Sequence, residues 1–149
     1  MELRSVEELM DLLYACRGTR DAPGLGNTRV DLHQHALQTA ALLRRVRPAD
    51  KELQVAGLVH AIGPLLCPGD ADLHSDRAAD AVRPLLGERV SRLVRDHCRA
   101  RDVADDDLLR LHQADEEGRG AEFDAGVLED WRAVLELVAA RNSPLGAVN

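Results

Sequence analysis

The chain has 149 residues, enough for one domain with a real core. Its net charge of −7 is spread over interspersed acidic and basic residues, which excludes the clustered basic face of a nucleic-acid binder. Apolar residues make up 45% but aromatic residues only 2%, so Leu, Val and Ala must build the core, and that composition favours packed helices over sheets.

Taken in chain order, "SVEELMDLLYACRG" opens with a capping box between Ser5 and Glu8, carries apolar residues at helical spacing, and stops at Gly18. "TRDAPGLGN" reads as a loop. Thr28 is the expected cap of a second helix over 29–46, ended by Pro48, and a third spans 49–62. Gly63, Pro64, Pro68 and Gly69 then break the chain. Helices follow over 73–86 and 88–101. "DVADDDLLRLHQADEEGRG" reads as a short helix, capped by Asp105–Asp107, and then an acidic loop. A last helix covers 127–141, with a frayed tail from about 142. The pattern predicts an all-α bundle of five to seven helices, with 1–149 as a single domain.

Cys16, Cys67 and Cys98 stand singly with no CxxC spacing, as expected of reduced thiols in a cytoplasm. No apolar run reaches membrane-spanning length, and the acidic amphipathic start does not resemble a signal peptide. The expectation is a cytoplasmic protein that engages neither membrane nor nucleic acid.

The histidines carry the functional signal. His35 shares a stripe with Leu32, Thr39 and Leu43; His60 follows Ala56 and Gly57; His74 lines up with Ala78 and Ala81; His97 follows Val90, Leu93 and Val94. Four helices thus each turn one imidazole inward. Buried imidazoles need hydrogen-bond partners or a metal, and facing side chains in a bundle core are a common way to build a metal site. The plain alternative is four separate core histidines, each satisfied by a hydrogen bond. His33 reads as a surface residue, and His112 shares a face with Leu108 and Leu109.

"VDLHQHALQTAALLRR", "AGLVHAIGPLL" and "LLGERVSRLVRDHCRARD" resemble motifs of the HD-domain superfamily, in the branch of the organophosphonate and myo-inositol oxygenases. The likeness runs from about Val6 to Arg101. It implies an HD-like helical bundle in which His35, His60, His74 and His97 take the places of metal-binding histidines. In that branch the site is a mixed-valence di-iron centre that activates O2 and cleaves a C–C or C–P bond. This chain departs from the pattern. The bridging Asp after the second His is Ala61, and the terminal Asp position falls in "LELVAAR", at Val138, Ala139 and Ala140, with Asp124 and Asp130 as substitutes within reach. The lid Tyr and Glu correspond to Leu25 and Thr28, a substrate-holding Lys to Arg101, and the Gly-Gly substrate loop to "QADEE".

Without its carboxylates the site reduces to two pairs of neutral imidazoles, short of the two-His-one-carboxylate set usual for iron and O2. A di-iron centre is therefore not expected. One divalent transition metal held by three or four of these His is chemically reasonable, as is metal-free acid–base work. The first reading is a repurposed enzyme of specialised metabolism. His35, His60, His74 and His97 would be its catalytic or metal-binding set, Arg101 and Gln38 its contacts to a small anionic substrate. A second is a non-catalytic subunit or ligand-binding module that joins another protein or a second copy, with the stripe around Trp131 as contact. A third is an active dinuclear oxygenase or phosphohydrolase with substitute ligands.

Overall fold

The computed structural model describes residues 2–18, 31–69, 73–97, 105–120 and 124–142. Among them the fold is all-α. In chain order come α1 (Val6–Ala15), α2 (Leu32–Val46), α3 (Lys51–Val59), a 3-10 turn (His60–Ile62), a single-turn α4 (Gly63–Leu66), α5 (His74–Leu86), α6 (Glu88–Asp96), α7 (Asp106–Gly120), a second 3-10 turn (Leu128–Trp131) and α8 (Arg132–Asn142).

Side-chain caps set the starts of the helices. Ser5 accepts from the Glu8 amide at 3.1 Å, as the sequence suggests. The start of α2 differs from expectation. Asp31, not Thr28, is its cap, accepting from the Gln34 amide at 3.0 Å. The other Asp31 oxygen accepts from the Gly18 amide, so one carboxylate joins the end of α1 to the start of α2. Thr28 itself lies outside the described residues. Asp50 caps α3 and Asp105 caps α7, the latter as predicted.

α3 is shorter than the predicted 49–62. Pro64 has no N–H to continue the ladder onto the carbonyl four residues back, so the chain tightens into a 3-10 turn at His60. α7 shows the opposite difference. It runs 15 residues without a break through the segment expected to be loop. Leu108, Leu111, Ala114 and Gly118 recur at helical spacing and are all buried, and this periodicity prevails over the local run of acids.

α2 is the central rod, packed on α3 on one side and α7 on the other, while α5 and α6 pair with each other and α8 crosses α1, α3 and α5. The α2–α3 crossing is close because of Gly57. A Cβ there would stand 2.5 Å from Leu43 Cδ1 and 3.3 Å from Thr39 Cγ2. Trp131 belongs to this core and is not an external contact. It is fully buried with Leu128, Leu135 and Val138, under the guanidinium of Arg44, 5.0 Å above its ring. No helix among the described residues is long and apolar enough to cross a membrane.

Candidate metal centre

Three helical segments bring His35, His60 and a carboxylate together. The inward stripe on α2 holds His35, and the hydroxyl of Thr39 one turn on donates to the His35 carbonyl at 2.8 Å. The close approach at Gly57 sets His60 beside it, with 3.2 Å between the two Nε2 atoms. The third member is Asp115 on α7. Its Oδ1 lies 2.7 Å from His35 Nε2 and 2.9 Å from His60 Nε2. All three residues are buried, and one donor atom from each falls within a 4.8 Å span, so the group could hold a metal ion.

Asp115 brings to the two histidines a carboxylate that the sequence motifs do not announce. Neither Asp124 nor Asp130 joins this cluster. Both are exposed and serve local backbone amides, of Gly126 and Val127 respectively. The "LELVAAR" segment supplies no carboxylate to the centre either; α8 buries Leu135 and Val138 in the core instead. The carboxylate comes from the middle of "QADEE", the stretch matched to a substrate loop. The signal was present in the spacing: Leu108, Leu111, Asp115 and Gly118 form one helical stripe, which places Asp115 on the buried face.

Hydrogen bonds assign the imidazole protons. His60 Nδ1 donates to the Gly57 carbonyl at 2.6 Å, and His97 Nδ1 donates to the Val94 carbonyl at 2.7 Å. In the neutral rings this leaves the lone pair on Nε2 in both. The His97 ring stands edge-on to His60, with 5.2 Å between centroids, and His60 stands edge-on to His35 at 5.1 Å. His74 stands half-buried at the start of α5 and its Nε2 donates to the Cys67 carbonyl at 3.0 Å. Gln38 is buried one turn beyond His35. Arg101, like Leu25 and Cys98, lies outside the described residues.

Burial holds His60 neutral, pushing its pKa below the ordinary value while the Asp115 charge pulls back only part of the way. Asp115 is ionised. Burial works against its charge, but the charge and the Nε2–H that His60 presents when protonated, together with the hydrogen bond from His35, hold its carboxyl well below the usual carboxylate range. With His60 protonated on Nδ1, its Nε2 lone pair faces the Asp115 oxygen, two acceptors 2.9 Å apart. His35 Nε2–H can bridge to one or both of them, and its own Nδ1 is buried without a partner. A cation among the three atoms removes the lone-pair conflict.

No protein-family model and no curated protein matches the chain.

The remaining titratable residues singled out in the sequence take local roles. His33 is half-buried, with Nδ1 2.9 Å from the Leu13 carbonyl and its ring stacked on Tyr14, so it tethers α2 to α1 and is not a free surface group. His112 pairs with Glu116 on its own helix at 3.1 Å. The Cys16 thiol is pushed up to about 12 by burial, with Asp31 adding to the effect, which makes it inert at neutral pH.

α7 lies close enough to deliver Asp115 because of Gly118, three residues further on. A Cβ at Gly118 would stand 2.8 Å from Thr39 Oγ1 and 3.4 Å from the His35 ring. Gly118→Ala should therefore lever α7 off α2. The expected result is destabilisation of about 1–3 kcal/mol in a denaturant melt, the usual range for overpacking. Thr39→Ala in the same chain should restore much of it by making room for the methyl.

Proposed function

We propose that the protein is an HD-like enzyme with a single divalent metal, held by His35 Nε2, His60 Nε2 and Asp115 Oδ1, that performs hydrolytic chemistry on a small anionic substrate. The observation that carries this reading is the carboxylate seated between two buried imidazoles, one of them fixed by its carbonyl hydrogen bond in the tautomer that a metal requires. Two His and one carboxylate suit Zn2+ or Fe2+. When bound, a divalent cation supplies Lewis acidity, and a single carboxylate against its two positive charges leaves the centre attractive to an anionic oxygen.

The residues of the chain divide the remaining work. His35, His60 and Asp115 hold the centre in place, and the packing of α2 against α3 and α7 keeps their rings from turning. His97, its Nδ1 proton committed to Val94, stands edge-on to His60 and is the imidazole next to the ligand set. Gln38 and Arg101 are the substrate contacts on this reading, and His74 a polar residue at the rim of α5. Ala61 follows His60 where a bridging Asp would complete a second metal position, so the centre takes one ion.

The test is metal analysis of protein purified without chelator, followed by stripping. One equivalent of a transition metal per chain is expected. Reloading at about a hundred times the dissociation constant should raise stability by about 2.7 kcal/mol. Turnover of a panel of phosphate and phosphonate esters should need that metal. A protein that takes up no transition metal under any loading ends this reading.

A second reading rests on the burial of the centre: the side chains of His35, His60 and Asp115 are 1%, 3% and 12% exposed. Closed sites of this kind also serve as structural or ligand-binding centres in non-catalytic subunits. Metal that stabilises the chain without any turnover, together with a partner co-purified from the native cell, would favour it.

A further inference from the structure

We propose that Arg89 is the positioning residue of this centre, one guanidinium that fixes the register of the three helices delivering His60, His97 and Asp115. The inference rests on the metal-centre reading and adds a residue remote from it. Arg89 sits in the first turn of α6. Its Nη1 donates to Asp50 Oδ1 at 2.7 Å and to Glu52 Oε1 at 3.1 Å, and its Nη2 donates to Asp50 Oδ2 at 2.7 Å and Asp107 Oδ2 at 3.0 Å. Asp50 and Glu52 lie at the start of α3, and Asp107 lies at the start of α7. The same fork therefore grips the first turns of three helices.

The far ends of those helices meet again at the centre. His60 lies eight residues after Glu52, His97 eight after Arg89, and Asp115 eight after Asp107. Eight residues of helix rise about 12 Å, so each site residue lies about two turns beyond the clamp along its own chain segment. Meeting at both ends means that α3, α6 and α7 run in one direction. α2 runs the other way. Arg47, just past its C-terminal end, pairs with Asp106 and Asp107 at the clamp level, while His35 in its N-terminal half meets Asp115. A slip of any one rod would carry its side chain away from the centre, and sub-ångström placement is what metal binding and catalysis demand.

A bidentate fork suits this task where an ammonium would not. Each Arg89 amino group engages one Asp50 oxygen, and each has a second hydrogen for Glu52 of α3 or Asp107 of α7. The clamp residues Arg89, Asp50, Glu52 and Asp107 are only 22–31% exposed at their side chains, which limits screening by solvent. These pairs raise the Arg89 pKa and lower that of Asp50, so both keep their charge through the working pH range.

The experiment compares Arg89→Met with Arg92→Met. Arg92 also joins α6 to the start of α7, through Asp105 at 3.0 Å, but does not reach α3. Two readouts are taken on the full chain, Co2+ titration followed by its visible absorption, and amide hydrogen exchange without metal. Arg89→Met should lose about tenfold in Co2+ affinity and change the absorption band, the scale of loss typical of residues that orient ligands. Arg92→Met should match the parent. Without metal, Arg89→Met should speed exchange at 56–60, 93–97 and 113–118, at the site end of each helix. Equal behaviour of the two variants, or faster exchange confined to the first turns, overturns the proposal. If the parent gives no Co2+ spectrum, the metal reading fails and the exchange arm alone decides the clamp. If Arg89→Met does not fold, Arg89→Lys and Asp107→Asn carry the test. Intermediate losses are expected from both, and parent-like values overturn the idea.

Discussion

On the proposed metal-centre reading, Asp115→Asn should abolish stoichiometric metal binding while the helical bundle stays folded. The substitution keeps the shape of the side chain and removes its charge. What remains for a cation is His35 and His60, two neutral ligands in a buried site. Desolvating a divalent ion against two imidazoles without a compensating negative charge is unfavourable, so affinity should fall by at least about a hundredfold, equivalent to about 2.7 kcal/mol. Isothermal titration with Zn2+ into metal-free protein would read this directly. Unchanged affinity would place the metal elsewhere.

The same variant has a signature in acid. In the parent, His60 has a lowered pKa, so below about pH 6.5 the unfolded chain binds a proton that the folded chain refuses. Asp115 is also lowered, so below about pH 3.9 the unfolded chain again takes up the extra proton. Both groups contribute stability at neutral pH that is lost as the pH falls, His60 first and Asp115 later. In Asp115→Asn the share of Asp115 in the second loss disappears. The first deepens, because the carboxylate no longer draws a proton towards His60. Urea melts from pH 7 to pH 3 with metal-free protein would show a shallower fall below about pH 3.9 in the variant than in the parent, the remainder being the share of Asp50 and Asp105.

The helices and their buried faces were legible in the sequence because their apolar periods are long. α2 shows this well: Leu32, His35, Thr39 and Leu43 form one stripe on paper and one buried face in the fold. His35 and His60 could be paired for the same reason. Asp115 could not be found by looking for acids. It is flanked by Glu116 and Glu117, both exposed, and a run of three acids reads as solvated loop. What separates Asp115 from its neighbours is its phase relative to Leu108 and Leu111, a signal that depends on the helix continuing through the run. Likewise Asp31 displaced Thr28 as cap because a carboxylate can serve two elements at once. The clamp around Arg89 has no sequence signature: its members come from three helices and meet only after the rods have packed.

Ala61→Asp tests what a second carboxylate does beside the centre. Ala61 is buried, at 8% exposure, directly after His60. An Asp there would set a second negative charge in the low-dielectric interior that already holds Asp115. In metal-free protein that charge has no partner of opposite sign in the cluster, and one uncompensated buried charge costs about 3–5 kcal/mol. For a chain of this length the melting temperature should drop by about 10 °C. Divalent cations should then recover more in the variant than they add to the parent, because two carboxylates gain a counter-charge where one did before. The comparison is therefore a difference of differences: melting with chelator and with excess Zn2+ or Mn2+, parent against variant. A larger metal-induced rise in Ala61→Asp means that Ala at this position keeps the metal-free chain stable by limiting the centre to one buried negative charge. Equal rises mean that residue 61 does not face the centre, and that the single-ion limit comes from another wall of the site.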